Sequence, residues 1–323
     1  MMHTLLSSLL CLVLLFTGGL LPSLAADSDR QLRRAQKLLA AGDYSRAYQA
    51  YHNLAQESDH PLAQFSLALF HENGWGRPVD PRAACRWYGT AAQGEVPAAA
   101  HFYAECLAAG TVVPGSAGDV IYWYEQAIAL GHGGSHYPLG QLLLASERSK
   151  DREKALLHLT QAASLGNQQA QFQLGRFFHS GDKVEPDHHQ AYQWYLQAAQ
   201  QGNRQAQYWL AMLLRDSPAA ELQSAEQALR WFESAAAQGY LPAYLPTAQA
   251  YLGGTGELPS QQIPAPALAK AYLWLSAAVS RRSGPEEQFE CKALLDQVLV
   301  RMPKTWRPAL DRKVSSHLRQ FED

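Results

Sequence analysis

At 323 residues the chain is long enough for two ordinary domains, and its 27 basic and 29 acidic side chains leave a net charge of −2. That near-neutral balance gives no electrostatic case for nucleic acid, which needs a clustered basic surface. After residue 25 no apolar run is long enough to span a bilayer.

The first residues, MMHTLLSSLLCLVLLFTGGLLPSLA, are apolar and carry no acidic residue, as in a secretory signal peptide. Ser23 and Ala25 are small residues at −3 and −1, so segment 1–25 is expected to be cleaved before Ala26. The mature protein is then periplasmic or secreted. An uncleaved anchor is the alternative reading of the same run.

Residues 26–59 read as a divergent N-terminal hairpin. Leu32, Ala35 and Leu39 make one stripe, Gly42-Asp43-Tyr44 a turn, and Ala47 and Tyr51 a second stripe. A clearer unit runs from Ala170 to Gly202. Ala170, Leu174, Phe177, Phe178 and Gly181 fall on one helical face. The break GDKVEPD follows, with Asp187 as N-cap and Gln190 three residues later, as in a capping box. Ala191, Trp194, Tyr195 and Ala198 form the next stripe, and Gly202 closes it. Each unit is therefore an antiparallel helix pair.

The unit recurs over residues 60–283. The Ala170 position is repeated at Ala63, Ala99, Ser135, Ala206 and Ala243, at intervals of 35 to 37. The Asp187 cap recurs as Asp80 and Ser116, and within one residue as Asp151 and Ser224. Trp194 recurs as Trp87, Trp123 and Trp231, with His158 in the third copy and Trp274 in the last. Closing glycines stand at Gly131, Gly166, Gly202 and Gly239, with Gly94 one residue out of step. The sixth copy carries the insertion GGTGELPSQQIPAPA. A period of this length marks a stack of helical hairpins.

The pattern A-x-x-x-L-G-x-x-[YF]-x-x-G, then D-x-x-x-A-x-x-W-Y-x-x-A-A-x-x-G, resembles the Sel-one-like repeat, a relative of the tetratricopeptide repeat. The resemblance covers about Pro61 to Arg282. It implies an all-α fold: a right-handed α/α solenoid of helical hairpins, with a scaffold or adaptor role, often in the cell envelope or secretory lumen. Residues 284–323 read as C-terminal capping helices. The first has a stripe through Phe289, Leu294, Leu295 and Val298, and Pro303 ends it.

Cys85 and Cys106 lie at nearly equal distances from the turn at Gly94–Val96, so antiparallel helices place them at one height. A disulfide, as in cysteine-rich members of the family, and two buried thiols remain the alternatives. The groupings His188-His189, His132 with His136, and His179 lack the spacing of a metal site. No nucleophile–base motif is visible and no cofactor is expected. The expected function is non-enzymatic. A protein or peptide partner, with a cell-wall glycan as alternative, lies in a concave groove. An envelope enzyme or enzyme-activating subunit, hydrolytic or carbohydrate-related, is the competing reading. The groove face takes the positions equivalent to Gln173, Arg176 and Ser180, because residues three and four apart share a helical face. They include Ser66, Leu69, Phe102, Glu105, Gln141, Gln173, Arg176, Trp209, Met212 and Asp216. Arg176 and Trp209 are the expected centre, being of types that often dominate binding. Packing between neighbouring first helices is the alternative role for Phe102 and Met212.

Overall fold

The computed structural model describes residues 22–112, 117–146, 148–182, 184–254, 263–281 and 285–321. The apolar segment 1–21, the expected cap Ser116 and most of the insertion after Gly254 lie outside them. Among the described residues every regular element is helical. The helices are α1 Pro22–Ala40, α2 Tyr44–Glu57, α3 Pro61–Asn73, α4 Pro81–Gln93, α5 Pro97–Ala108, α6 Ala117–Ala129, α7 His136–Leu144 and α8 Ser149–Ser164. They continue as α9 Gln168–Ser180, α10 His188–Gln200, α11 Arg204–Asp216, α12 Ala225–Ala237, α13 Tyr244–Tyr251, α14 Ala265–Ser280, α15 Pro285–Arg301 and α16 Arg307–Leu318. Short 3-10 turns lead into α7, α13 and α16.

Helices pair as the repeat requires: α1 with α2, α3 with α4, α5 with α6, α9 with α10, α11 with α12 and α13 with α14. The chain forms two compact units, Met1–His158 and Leu159–Asp323. The division falls inside α8, between the two residues that replace the aromatic pair in the third copy.

Local chemistry explains where the helices begin. Asp80, Asp187 and Ser224 each accept a hydrogen bond from a backbone N–H of the following turn, which satisfies donors the helix leaves open. Gln190 does not complete a capping box in the usual sense. Its amide donates to Asp187 Oδ2, while Oδ1 takes the backbone N–H groups of His189 and Gln190. Asp151 is not a cap: it lies in the first turn of α8 and accepts from Ser146 Oγ at 2.5 Å. Asn167 and Asn203 cap the first helices α9 and α11, a signal the periodicity left out.

The closing glycines at 131, 166, 202 and 239 all have positive φ, the conformation glycine adopts without penalty. Gly94 does not. The left-handed residue there is Glu95, with φ 58°, so the second helix of that copy turns one residue later than its glycine suggests.

The core follows the small and aromatic positions. Ala170, Leu174 and Phe177 are buried on α9, and Ala191, Tyr195 and Ala198 on α10. The Trp that sets the register is only half-buried in every copy that has one, whereas the residue after it is fully enclosed: Tyr88, Tyr124, Tyr195, Phe232 and Leu275. At the C-terminus α15 and α16 both pack on α14. Phe289 does not belong to the inward stripe of α15, being 77% exposed. The buried residues are Cys291, Leu294 and Val298. Phe289 stands two residues before Cys291, about 200° around the helix from it.

Candidate functional site

In the first unit the expected face is carried by α3, α5 and α7. Ser66 is half-buried and its hydroxyl donates to the Leu62 carbonyl. Leu69 and Phe102 pack against the cluster around Ala68, Tyr88 and the two cysteines. Phe102 lies stacked against Tyr88, ring centroids 5.1 Å apart, and against Phe65 of the neighbouring first helix at 6.3 Å. It therefore joins helices as well as facing outward. Glu105 is exposed beside them. Partial burial and the charge of Glu72 push its carboxyl up from the ordinary range. Glu72 is itself bonded by the buried Tyr88 hydroxyl at 2.5 Å. Gln141 is half-buried on α7. Cys85 and Cys106 form a disulfide between α4 and α5, with Cα atoms 5.8 Å apart, and Cys291, in the second unit, is fully buried.

In the second unit the face is carried by α9 and α11. Arg176 is exposed and Gln173 half-buried. Trp209 is half-buried, its ring edge-on to His179 at 5.7 Å. Met212 packs on the core, and its sulfur accepts from Arg215, whose guanidinium also bonds the exposed Asp216. The positive charge of Arg176 reaches the hydroxyls of Tyr195 and Tyr240. Burial raises the pKa of both, and Arg176 pulls each part of the way back. A cation and an indole thus stand on consecutive first helices. A shallow depression lined by Leu196, Gln227, Arg230, Trp231 and Ser234 lies on the second helices α10 and α12.

The histidines gather in groups that linear spacing hides. Ser135 is fully buried and its hydroxyl meets His101 Nδ1 at 3.0 Å and His132 Nδ1 at 2.9 Å. Glu105 stands 3.5 Å from the other nitrogen of His101. Burial, and then the charge of His132, pull His101 down to about 4. This serine–histidine–carboxylate order resembles a nucleophile with its base, but the hydroxyl is fully enclosed. His136 Nδ1 and His158 Nδ1 approach to 2.9 Å. Of the neighbours in sequence, His188 packs on His179 and His189 pairs with Glu221 at 3.0 Å. Among the described residues no three His, Cys, Asp or Glu side chains converge as metal ligands.

A polar joint is also absent from the sequence reading. Gln171 and Gln207, each one residue after the register alanine, are almost fully buried. Gln171 donates to the Ala163 carbonyl and accepts from Gln201 Nε2. Gln207 donates to Ala199 and accepts from Gln238 Nε2. The same atoms recur one unit later, so each buried amide is satisfied on both sides. Three Ala-Gln pairs in register, at residues 63, 170 and 206, were the available signal.

Stacked helical hairpins, small residues at their crossings and a polar face on the first helices define an α/α helical-repeat protein. The Sel1 repeat matches residues 61–95, 97–132, 135–167, 168–203 and 204–240, more than half of the chain, and the protein belongs to that family. The hairpin of α13 and α14 follows these matched copies. Solved structures agree on the fold. A Sel1 repeat protein from Oxalobacter formigenes is 23% identical over 79% of this chain and 99% of its own, with a TM-score of 0.56. The antigen c5321 of uropathogenic Escherichia coli is 19% identical over 84% of this chain and 64% of its own, also with a TM-score of 0.56. No curated protein matches this chain. Among the described residues no helix is long and apolar enough to cross a membrane.

Proposed function

We propose that this protein is a non-enzymatic scaffold of the cell envelope that holds an extended segment of a partner protein along its first helices. Proteins built from stacked helix pairs use the exposed faces of such helices for binding. The observation that carries the reading is the placement of Arg176, exposed, and Trp209, half-exposed, on adjacent first helices. Both belong to residue types that anchor interfaces. A cell-wall glycan is the alternative occupant of the same face, since an indole also stacks on sugars. Export is supported by the apolar N-terminus and by the Cys85–Cys106 disulfide, because such bonds persist in oxidising compartments. A hydrolytic reading finds its best geometry at Ser135, and the full burial of that hydroxyl argues against it.

The test is Arg176→Ala with Trp209→Ala. The double variant should capture its partner from envelope extract about 30-fold less well, roughly 2 kcal/mol. Helix content and melting temperature should be nearly unchanged. Normal capture by the folded variant would remove the face from consideration.

A further inference from the structure

The capping elements of a solenoid ordinarily turn a polar face to water. The cap helix α15 does not. Among the described residues the two most exposed large apolar side chains are Val300, 87% exposed, and Phe289, 77%, and both lie on α15. They stand eleven positions apart, which leaves them only about 20° from one another around the helix. Cys291, Leu294 and Val298 are buried on the opposite side, where α15 packs on α14. Between Phe289 and Val300 the outward strip carries Lys292, Ala293 and Asp296, all exposed. Neither charge of the strip takes part in an ion pair among the described residues.

We propose that this strip is a homodimer interface, in which α15 of one copy lies antiparallel to α15 of a second about a two-fold axis near residue 294. The strip is self-complementary about that point. Lys292 and Asp296 stand two positions to either side of it, and the midpoint of Phe289 and Val300 falls half a position beyond it. A two-fold axis across an antiparallel helix pair exchanges positions equally far from it, so every contact occurs twice. Lys292 of each copy then meets Asp296 of the other, and Phe289 meets Val300. One axis serves both pairs to within about 1.5 Å along the helix. Ala293, nearly on the axis, is small enough to let the two backbones approach. A parallel pairing would instead set Lys292 beside Lys292 and Asp296 beside Asp296, so charge selects the antiparallel arrangement. One helix face buries less than the roughly 1,200–2,000 Å² of a standard stable interface. The dimer is therefore reversible, and sensitive to salt, which screens exposed charges.

Sedimentation equilibrium of the whole chain, over a wide range of concentration, reads the association. The wild type should pass from monomer to dimer and no further, less readily at high salt. Phe289→Ser with Val300→Ser removes the apolar contacts and should weaken dimerisation at least about tenfold at unchanged helix content. Lys292→Glu and Asp296→Lys, each alone, turn both ion pairs into like-charge contacts and should weaken it about tenfold. Lys292→Glu with Asp296→Lys rebuilds both pairs with their signs exchanged. That double variant should dimerise as the wild type does, yet pair poorly with wild-type chains. If the serine variant unfolds, the charge series alone decides. A wild type that stays monomeric, a folded serine variant that associates undiminished, or a double exchange that fails to recover overturns the assignment. A monomeric wild type that loses capture of another protein on Phe289→Ser marks an unlike partner for the strip, and overturns it as well.

Discussion

Gly175 lies on α9 against α10, and a Cβ there would press into the ring of Tyr195. Four other copies carry alanine at this position, at 68, 104, 211 and 248, and one carries Gly140. Substitution by alanine would therefore seem harmless, and would even gain about 1 kcal/mol of helix propensity. The ring has little freedom to yield, since Phe172 and His179 flank it at 6.1 and 5.9 Å. Overpacking of this kind costs about 1–3 kcal/mol. Gly175→Ala should thus lower stability in urea by about 1 kcal/mol net, and Tyr195→Leu in the same chain should recover part of the loss. His101 supplies a second residue-scale effect. Its folded pKa, about 4, is far below the value of about 6.5 in an unfolded chain. The unfolded state then binds the extra proton between those values. Stability is fully present above pH 6.5 and is lost as pH falls toward 4, by up to about 3 kcal/mol. His132, Glu105 and Tyr124 face the ring. The raised Glu105 carboxyl works in the opposite direction and offsets some of the loss. Urea unfolding between pH 7 and pH 4.5 should show the decline, and His101→Gln should flatten it.

At the scale of the element, the hairpins were legible because one period of small, apolar and aromatic residues organises each of them. Ala170, Leu174, Ala191 and Tyr195 are buried as that period requires. Three features escaped for physical reasons. The left-handed turn at Glu95 escaped because glycine usually marks such a turn, and here a carboxylate residue holds it. The exposure of Phe289 escaped because an aromatic in an apolar run reads as core. The histidine pairs escaped because their members sit on different elements: 136 and 158 on α7 and α8, and 101 on α5 against 132 in the turn after α6, so that only the packing of those elements brings them together. The face carrying Arg176 and Trp209 was legible as a set of positions. The sequence did not distinguish the exposed residues from Phe102 and Met212, which also close the seams between helices.

For the molecule as a whole, the polar joints make the repeat modular. Removing residues 168–203 would place Arg204 directly after Asn167. The Gly-Asn-x-x-Ala junction is then rebuilt, because Gly166-Asn167 stands in register with Gly202-Asn203. Asn167 can cap the helix that Asn203 capped, and Gln207 meets the Ala163 carbonyl in place of Ala199. The shortened chain should fold with a cooperative thermal transition and proportionally less helix by circular dichroism. Removing only 168–186 would leave α10 without its partner, and that chain should aggregate or be degraded.

The bond between Cys85 and Cys106 spans 21 positions and crosses from one matched repeat to the next. Under load this changes how the chain yields. A tether stretched from its two ends can pay out every residue except those inside the loop. At ~3.5 Å per extended residue, about 70 Å of length stays hidden. Pulled in an optical trap, the oxidised protein should fall short of its full extension by that amount. Adding a reductant should release it in a single step. A protein so stitched would keep α4 and α5 side by side when the rest of its length had been drawn out.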